Sequence, residues 1–417
     1  MKIFKFGGAS VKDSDGIKNV VKVLQEVGYE NVLIVVSAMG KTTNAMEEIV
    51  KHYINKDNEL NASIQEVKKY HNQILLALFE NEKHKVFTAI QNIFDELVNF
   101  LTHNKSINYD FVYDQIVSIG EILSSTIISF YFNEIGIKNQ WIDSREIIKT
   151  DSNYRDANID WLETQINTKP LNQSNILYIS QGFIGSDSNN FTTTLGREGS
   201  DYTAAILGYC IGAESVTIWK DVPGVLNADP RFFENAVLLE QISYREAIEL
   251  AFYGASVIHP KTLQPLQKKE IPLYVKSFIN PLLPGTKVSR GVSLQPEISC
   301  FIVKKNQFLI SISSLDFSFI MEENISEIFA LLHQLKLKVN LIQNSAISFS
   351  LCLEDKYHKF ENLKKELSNK YLIQTSENVS LYTVRHFTDS AIKTVESNKE
   401  ILIKQILGNT IQLVIKE

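Results

Sequence analysis

Charged and hydroxyl residues follow the predicted ends of several strands, and their spacing suits the binding of an anion. The first such segment is Lys5-Phe6-Gly7-Gly8, with Ser10 two residues further on. Two glycines after a strand let the backbone approach an anion, and successive amides form a nest for it. Lys5 adds a point positive charge that can follow a phosphate. In isolation the segment could equally be a tight turn that needs glycine, beside a solvated lysine.

A second polar segment, SAMGKTTN, begins at Ser37 directly after the run NVLIVV. This run is apolar throughout, which is typical of a strand buried on both faces of a parallel sheet. The GKT at positions 40–42 suggests a Walker A phosphate loop, but that loop needs a glycine where Val35 stands. A Walker A loop is therefore excluded here, and the segment predicts a hydroxyl-rich strand end suited to a small polar substrate.

A third segment, TTTLGREGSDYTAA at positions 192–205, combines glycines with a basic side chain. Its apolar continuation predicts a helix, with Ser200 or Asp201 near the N-cap. A helix N-terminus preceded by glycines and an arginine is an anion site. Arg197 can clamp a carboxylate with two parallel hydrogen bonds. Asp201 alone could equally be no more than a helix cap.

Two further segments carry charge near predicted turns or helix starts. WKDVPGV, at positions 219–225, contains Asp221 and a Pro-Gly turn, and Arg231 follows where it could reach an adenine or a phosphate. SIGEILS, at positions 118–124, places Glu121 inside an apolar helix, where a carboxylate is costly to bury without a partner. Glu121 could also be a helix-start carboxylate that gains a little from the helix dipole.

The elements that must position these residues alternate between strands and helices over about the first 280 residues. Helices are predicted at 17–28 and, as a long helical cover, from 45 to 120, with strands at 3–6, 31–37, 140–143, 176–181, 215–219 and 272–276. Such alternation predicts an α/β fold with a largely parallel sheet. Ligands of such sheets bind at the carboxyl ends of the strands, so we expect the segments above to meet at one edge of one sheet.

The run NPLLPGT at 280–286 marks a break, and we predict domains at 1–290 and 296–417. The second domain is predicted to have helices at 322–334 and 357–367, with strands at 298–303, 308–313, 346–351, 379–385 and 410–416. A βαβ-type pattern repeated about twice indicates small sandwich modules. Because the segments with candidate chemistry all precede the break, we predict that the second domain is regulatory.

Length and composition exclude several classes of function. The 417 residues, 44% hydrophobic and 22% charged, predict a globular protein of two or three domains. A net charge of −6 leaves no basic footprint, so we expect neither nucleic acid nor a membrane as partner. Three widely spaced cysteines argue against a disulfide framework or a zinc site. No apolar run approaches the roughly 18–20 residues of a membrane span and no signal sequence precedes the first strand, so we expect a cytoplasmic protein.

Together and in this order, the segments resemble the aspartate kinase branch of the amino-acid kinase superfamily. The resemblance extends over nearly the whole chain and includes FYGASVIHPKTL at 252–263. It implies a three-layer sandwich with a largely parallel central sheet, followed by α+β ACT-like modules of βαββαβ order. It also implies that ATP and Mg²⁺ are used to phosphorylate the β-carboxylate of L-aspartate, without a protein-bound prosthetic group. The product, 4-phospho-L-aspartate, is the first intermediate towards lysine, threonine and methionine.

The resemblance also implies roles for individual residues. Lys5 and Asp201 would be catalytic, Lys5 by stabilising the transferring phosphoryl group and Asp201 by orienting Lys5. The phosphates and the nucleotide would be bound by Gly7, Gly8, Ser10, Asp221 and Arg231. The amino-acid substrate would be bound by Ser37, Thr43, Glu121, Arg197 and Ser200, with Arg197 on its α-carboxylate and Glu121 on its α-ammonium. No residue is implied as a metal ligand.

Some positions depart from the family pattern. Lys220 stands where many relatives carry threonine, and Ser256 replaces a lysine that some members use towards the nucleotide. Lys261 or Lys220 could compensate. In the second domain Ala346 replaces a glutamate of the effector-binding turn, and DFSFI at 316–320 departs from the family's His-Ser-Arg-Gly-like stretch. The second ACT-like module also looks abbreviated.

The ACT-like modules imply an amino-acid effector, with lysine feedback as a hypothesis, and a homodimer or higher homo-oligomer. The nearest alternative function is a kinase of the same superfamily that acts on glutamate, carbamate or a nucleotide monophosphate. Glu121, Arg197 and the ACT-like tail favour an amino acid with free α groups. A non-catalytic amino-acid sensor is a different class, and the presence of both Lys5 and Asp201 argues against it. We expect a monofunctional enzyme without homoserine dehydrogenase, because no GxGxxG unit follows.

Overall fold

A computed structural model describes residues 1–171, 175–255, 258–316, 318–397 and 399–416 of the chain. The chain divides into two compact units, which are described separately. Unit 1 comprises residues 1–225, 238–248 and 257–294, and unit 2 comprises residues 226–237, 249–256 and 295–417. Two short segments from the first 290 residues therefore pack with the C-terminal part of the chain.

Unit 1 is built around an eight-stranded sheet with the order β3-β4-β2-β1-β7-β9-β10-β8. Its strands, with those of a separate two-stranded sheet, are β1 (Lys2–Phe6), β2 (Val32–Val36), β3 (Gln140–Ile142), β4 (Tyr178–Gln181), β5 (Ile184–Ser186), β6 (Thr192–Thr194), β7 (Ser215–Lys220), β8 (Gln241–Ser243), β9 (Leu273–Ser277) and β10 (Thr286–Ser289). Among the described strands of the large sheet, only β9 and β10 pair antiparallel. The predicted largely parallel sheet is confirmed.

The helices of unit 1 cover this sheet, and the last turn of α10 passes into unit 2. They are α1 (Ser14–Val27), α2 (Thr42–Asn55), α3 (Leu60–Leu78), α4 (Lys85–His103), α5 (Tyr109–Val117), α6 (Ile119–Glu134), α7 (Ser144–Ile147), α8 (Trp161–Thr168), α9 (Gly199–Ile211), α10 (Tyr244–Tyr253) and α11 (Pro260–Lys268). The helical cover predicted from 45 to 120 is confirmed as α2 to α5.

Strand β2 shows why the sheet lies inside the unit. All five of its residues, VLIVV, are buried, and alternate side chains point to opposite faces of a strand. Both faces of the sheet must therefore be covered by helices, which gives the three-layer sandwich. The neighbouring β1 adds Phe4 and Phe6, whose rings pack on Trp219 of β7 with centroids 5.7 and 6.0 Å apart. This packing fixes β1 beside β7, so the residues at the carboxyl ends of these two strands are neighbours.

One helical stretch, Tyr109–Glu134, is long and apolar enough to cross a membrane by length and composition. The sequence-based expectation that no run approaches this length was wrong. The stretch consists of α5 and α6, and 83% of its most apolar window is buried inside the protein. A helix in a protein core is as apolar as a membrane span because every side of it meets other apolar groups.

Unit 2 contains a six-stranded sheet with the order β12-β13-β11-β14-β16-β15, in which all pairs are antiparallel. Its elements are β11 (Cys300–Ser314), α12 (Glu322–Gln334), β12 (Lys338–Asn344), β13 (Ser348–Glu354), α13 (Phe360–Leu367), β14 (Tyr371–Arg385), α14 (Asp389–Glu396), β15 (Glu400–Leu407) and β16 (Thr410–Lys416). The separate strands predicted at 298–303 and 308–313 were wrong, because both belong to β11. A bulge near Asn306, whose φ is +56°, lets the strand continue through a polar run.

The long strands β11 and β14 each run through both halves of the sheet. The second half of β11, α12, β12, β13, α13 and the first half of β14 follow one another in βαββαβ order. The remaining halves of β11 and β14 combine with α14, β15 and β16, so this second half has one helix among the described residues. The predicted ACT-like arrangement is thus confirmed as a strand-rich α+β region.

Candidate active site

A cavity of about 490 Å³ opens at the carboxyl ends of the parallel strands of unit 1. It includes every residue predicted to be catalytic or to bind the amino-acid substrate. The lining residues are Lys5, Ser37, Thr43, Tyr113, Glu121, Arg155, Phe183, Gly196, Arg197, Glu198, Gly199, Ser200, Asp201 and Lys220. The strand-end rule accounts for Lys5 and Ser37, because β1 and β2 run parallel and end at the same edge.

Asp201 lies between two ammonium groups at this edge. Its Oδ1 is 2.7 Å from Nζ of Lys5, and its Oδ2 is 3.6 Å from Nζ of Lys220. Burial alone would raise the pKa of Asp201, but the charges of Lys5 and Lys220 outweigh it and hold the pKa below its ordinary value. The carboxylate is therefore ionised, and it fixes the direction of the Lys5 ammonium.

Glu121 lies in the first turn of α6 and is 3% exposed. Its Oε1 accepts a hydrogen bond of 3.3 Å from the amide of Ala38, whereas Oε2 has no hydrogen-bond partner in the described part of the chain. Burial raises its pKa to about 8, with Ala38 and Lys5 acting in the opposite direction. A buried carboxylate oxygen without a partner, facing a cavity, is suited to a cationic group of a ligand.

The turn before α9 brings Arg197 to the cavity. Glu198 is the N-cap residue of α9 in the left-handed conformation, with φ +53°, and no side chain of the described residues caps the helix. Ser200 and Asp201 lie near the N-cap as predicted, both within the first turn of α9, and neither is the capping residue. Arg197 is exposed and makes no hydrogen bond or ion pair with a described residue, so its guanidinium is available to an anion.

The expectation that all segments come from the ends of one sheet also needs correction. Thr192–Thr194 forms β6 of the two-stranded sheet, not a strand of the central one. Arg197 and Asp201 reach the cavity because α9 packs tightly on the turn that follows β4. A Cβ on Gly199 would lie 2.5 Å from the ring of Phe183, and one on Gly182 would lie 2.5 Å from Cβ of Ser200. These two glycines permit that contact.

Sequence reasoning missed several lining residues, and Arg155 is the clearest case. Its backbone amide donates to both oxygens of Asp114, at 3.2 and 3.0 Å, and Asp114 also accepts from the amide and hydroxyl of Thr194. Burial raises the pKa of Asp114 to about 6. The Arg155 guanidinium lies 4.4 Å from the ring centre of Tyr113, which also lines the cavity. Arg155 is held at the cavity by Asp114, which lies 41 positions earlier in the chain, so no local sequence pattern indicates it.

Phe183 was also missed, although a signal existed. It follows Gly182 directly after β4, and its φ is +72°, a conformation that is strained for a bulky residue. Its amide donates to the hydroxyl of Thr203 at 2.9 Å. The strand at 176–181 was predicted, so inspection of its carboxyl end would have found Phe183.

The residues predicted to bind phosphate and nucleotide are not among those that line the cavity. Gly7 and Gly8 form the turn after β1, and the amide of Ser10 donates to the carbonyl of Gly7 at 2.9 Å. A Cβ on Gly7 would lie 3.2 Å from Nζ of Lys5, so the turn touches the ammonium. A Cβ on Gly8 would lie 2.8 Å from the carbonyl oxygen of Ala38. The turn is therefore adjacent to the cavity.

Asp221 and Arg231 are both exposed. Asp221 follows β7 in unit 1, while Arg231 belongs to unit 2 and pairs with Asp229 at 2.5 Å. Lys261, considered as a substitute for a missing nucleotide lysine, instead pairs with Asp156 at 2.7 Å. Ser256, the position of that departure, lies outside the described residues. Nucleotide binding by these side chains stays a prediction.

The described residues contain no group of three or more His, Cys, Asp or Glu side chains that could hold a metal ion. Within the described residues, none of Cys210, Cys300 and Cys352 forms a disulfide. Asp201 is in contact with two lysines, which makes it a poor ligand for a cation.

Residues 1–277 match the amino acid kinase family, and the chain belongs to that family. Within it, relatives of this chain include aspartokinases. The lysine-sensitive aspartokinase 3 of Escherichia coli is 31% identical over 360 residues, which cover 84% of this chain and 78% of that protein. A chloroplastic bifunctional aspartokinase/homoserine dehydrogenase of Daucus carota is 30% identical over 389 residues, 88% of this chain. The chain spans 42% of that protein and about two fifths of similar bifunctional relatives.

Solved structures agree with this assignment. Escherichia coli aspartokinase III in complex with lysine and aspartate matches 99% of this chain and 95% of its own, with a TM-score of 0.85 and 27% identity. The same enzyme in complex with aspartate and ADP matches 100% and 96%, with a TM-score of 0.80 and 26% identity. The resemblance to aspartate kinases that the sequence indicated is confirmed.

Proposed function

We propose that the protein transfers the γ-phosphoryl group of ATP to the β-carboxylate of L-aspartate, giving 4-phospho-L-aspartate. One observation carries this proposal. The buried Glu121, with an unpartnered oxygen, and the exposed Arg197 line the same cavity as the Lys5–Asp201 ion pair. A ligand with one ammonium, one carboxylate and a second acidic group can use all of these side chains at once.

The amino-acid half of the substrate suits the part of the cavity around α6 and α9. Arg197 would bind the α-carboxylate through two parallel hydrogen bonds, and Glu121 would bind the α-ammonium. The hydroxyls of Ser37, Thr43 and Ser200 would supply further hydrogen bonds. Both charged contacts select for free α groups, because a buried Glu121 that stays unpaired loses the hydrogen bonds it would make in water.

The phosphoryl half suits the edge where β1 and β7 end. Phosphoryl transfer requires positioning and neutralisation of charge more than covalent chemistry. Lys5, held by Asp201, would neutralise the transferring group, while the amides of Gly7 and Gly8 and the hydroxyl of Ser10 would approach the phosphates. Asp221 and Arg231 would contact the nucleotide. A carboxylate acceptor is already ionised at neutral pH, so no general base is needed.

Magnesium would enter as MgATP and not as a resident ion. Mg²⁺ keeps several waters and commonly binds through substrate phosphates with one or two carboxylates, so the lack of a carboxylate cluster in the described chain fits a metal carried by the nucleotide. The aspartate and ADP complexes of the Escherichia coli enzyme support the choice of substrates. In this role the enzyme would act in the cytoplasm at the first step towards lysine, threonine and methionine, as a homodimer or larger oligomer.

We further propose that residues 1–290 form the catalytic domain and that the ACT-like region, 296–417, is regulatory and binds an amino-acid effector. Unit 2 has its own cavity of about 420 Å³, whose lining includes Asp316, Asn324, Glu327 and Tyr371. Two carboxylates and several hydrogen-bonding groups suit a ligand with ammonium groups. The name of the lysine-sensitive relative supports lysine as the first effector to test.

The substrate is tested by trapping the acyl phosphate with hydroxylamine in the presence of ATP and Mg²⁺. Purified protein is supplied with aspartate in one reaction and glutamate in another. We expect aspartyl hydroxamate to form only with aspartate, and ADP to appear in equal amount. Hydroxamate from glutamate alone would overturn the substrate assignment, and no hydroxamate from either would overturn the kinase assignment.

A further inference from the structure

Lys220 is a second cation of the phosphoryl-transfer site that the functional assignment above does not use. It is the last residue of β7, which pairs in parallel with β1 in a register that places Phe6 opposite Trp219. The glycine turn after Phe6 and Lys220 after Trp219 therefore leave the sheet side by side. The Lys220 side chain lines the cavity, and its Nζ lies 3.6 Å from Asp201, the carboxylate that also holds Lys5.

Asp201 is shared by two ammonium groups. One carboxylate faces both Lys5 and Lys220, at a position where the side chains of Lys5 and Asp201 are at least 90% shielded from water. Lys5 already holds Oδ1 at 2.7 Å, so Asp201 does not require the longer 3.6 Å contact in order to be neutralised.

The cavity has four cationic lining residues, Lys5, Arg155, Arg197 and Lys220, of which Arg155 already pairs with Asp110 at 3.2 Å. Arg197 precedes α9 and is proposed to bind the amino-acid substrate. The two lysines lie together at the end of β1 and β7. A group that carries several negative charges on adjacent oxygens fits that pair, because each ammonium can meet a different oxygen.

We propose that Lys220 binds the transferring phosphoryl group together with Lys5, the two ammonium groups being held apart by the shared Asp201 carboxylate. This inference rests on the proposed function and deepens it. During transfer the negative charge is spread over three equatorial oxygens, and two fixed cations stabilise that distribution better than one. Asp201 keeps the two ammonium groups at defined positions before the nucleotide arrives, so little reorganisation is needed.

The test compares Lys220→Met and Lys220→Arg with the wild type, with Lys2→Met as a matched control. Lys2 is at the opposite end of β1, half exposed, and pairs at 4.0 Å with Glu214, away from the cavity. We expect Lys220→Met to lower kcat about 100-fold with little change in KM for aspartate. Lys220→Arg should recover part of kcat, because it restores the charge with a different geometry. Lys2→Met should match the wild type.

A second measurement separates phosphate binding from a structural role and does not depend on turnover. The dissociation constants of ATP and adenosine are measured by calorimetry for each variant without aspartate. Lys220→Met should weaken ATP about tenfold and leave adenosine unchanged, since one charge-assisted contact is worth about that factor. Equal losses for both ligands, or none, would overturn the inference. A wild type without hydroxamate formation would refute the proposed function, while the comparison of ATP with adenosine would still decide the role of Lys220.

Discussion

Lys5 and Asp201 form an ion pair of 2.7 Å in which both side chains are almost completely buried. Lys5 comes from β1 and Asp201 from the first turn of α9, so the pair joins these two elements at the cavity. Buried ion pairs contribute little net stability, but breaking one by removal of a single partner leaves an uncompensated charge. The pair is therefore better explained by the position it gives the Lys5 ammonium than by stability.

Replacement of Lys5 by methionine removes the charge and keeps most of the side-chain volume. We expect turnover to fall by about 10³-fold or more, because the transferring group loses its most rigidly held cation. The fold should persist, because Lys220 still neutralises the Asp201 carboxylate. Hydroxamate formation and thermal unfolding of Lys5→Met, with Lys2→Met beside it, check this. Retained turnover in Lys5→Met would remove Lys5 from its catalytic role.

The raised pKa of Glu121 predicts a pH dependence of stability. Burial raises the pKa to about 8 from its ordinary 4.5, so the folded protein holds a proton that the unfolded chain has lost between these values. The free energy of unfolding should therefore fall as the pH rises through this window. Glu121→Gln keeps the shape and removes the titration, so its stability relative to the wild type should increase from pH 5 to about pH 8 in denaturant titrations. A constant difference across that range would contradict the assignment.

The same group predicts the pH dependence of aspartate binding. The ammonium of aspartate needs an ionised Glu121, and below about pH 8 ionisation must accompany binding. KM for aspartate should then fall about tenfold per pH unit as the pH rises towards 8, and level off above it. In Glu121→Gln the KM should be high and nearly independent of pH. KM values measured at saturating ATP decide this, and an unchanged slope in the variant would exclude Glu121 as the titrating group.

The sequence was sufficient to predict those parts of the site that follow strand ends. Lys5 and Ser37 reach the cavity because parallel strands end at one edge, and this is a consequence of the fold class alone. Glu121 was found because a carboxylate in an apolar helix needs a partner. These predictions depend on local pattern and general topology, both of which can be derived from a single sequence.

Other features depend on contacts between distant segments and could not be predicted. Arg155 lines the cavity because Asp114, in a helix 41 positions earlier, holds its backbone amide. The N-cap of α9 is the left-handed Glu198, which is not a residue type that a helix-start pattern predicts. In unit 2 the polar run around Asn306 suggested a loop, yet a bulge with neighbours on both sides keeps it within β11. These features are determined by the segments that the residues contact in the fold, and a local sequence pattern does not show which segments those are.

Gly7 and Gly8 predict opposite responses to the same substitution. A Cβ on Gly8 would lie 2.8 Å from the carbonyl oxygen of Ala38 and 3.0 Å from that of Gly40. Both are backbone atoms, which cannot move away as a flexible side chain can. Gly8→Ala should therefore destabilise the fold by about 1–3 kcal/mol. A Cβ on Gly7 would meet only the Lys5 ammonium, at 3.2 Å, and its φ of −79° and ψ of 169° suit alanine.

Gly7→Ala should accordingly leave stability within about 0.5 kcal/mol of the wild type, while turnover falls at least about tenfold because Lys5 is displaced. Thermal unfolding and the hydroxamate assay on both variants separate the two effects. Loss of stability in Gly7→Ala, or none in Gly8→Ala, would show that the turn is packed differently.

Arg197→Lys keeps the positive charge but removes the planar fork. If Arg197 clamps the α-carboxylate of aspartate, KM for aspartate should rise about 10- to 100-fold, since a lysine cannot form two parallel hydrogen bonds. The side chain is exposed and has no partner among the described residues, so thermal stability should not change. Arg245→Lys, an arginine outside the cavity lining, serves as the control. A KM equal to that of the wild type would place the α-carboxylate elsewhere.

The cavity of unit 2 predicts inhibition by an amino acid with an ammonium side chain. Asp316 is exposed, and the Glu327 carboxylate already pairs with Lys370 at 2.9 Å, so a bound lysine could exchange with that ammonium. Millimolar lysine should lower the rate, and the double variant Asp316→Asn/Glu327→Gln should need about tenfold more lysine for half inhibition. Glu323→Gln, on the same helix but outside the lining, should behave as the wild type. If neither lysine nor threonine lowers the rate of the wild type, this cavity does not bind a feedback effector.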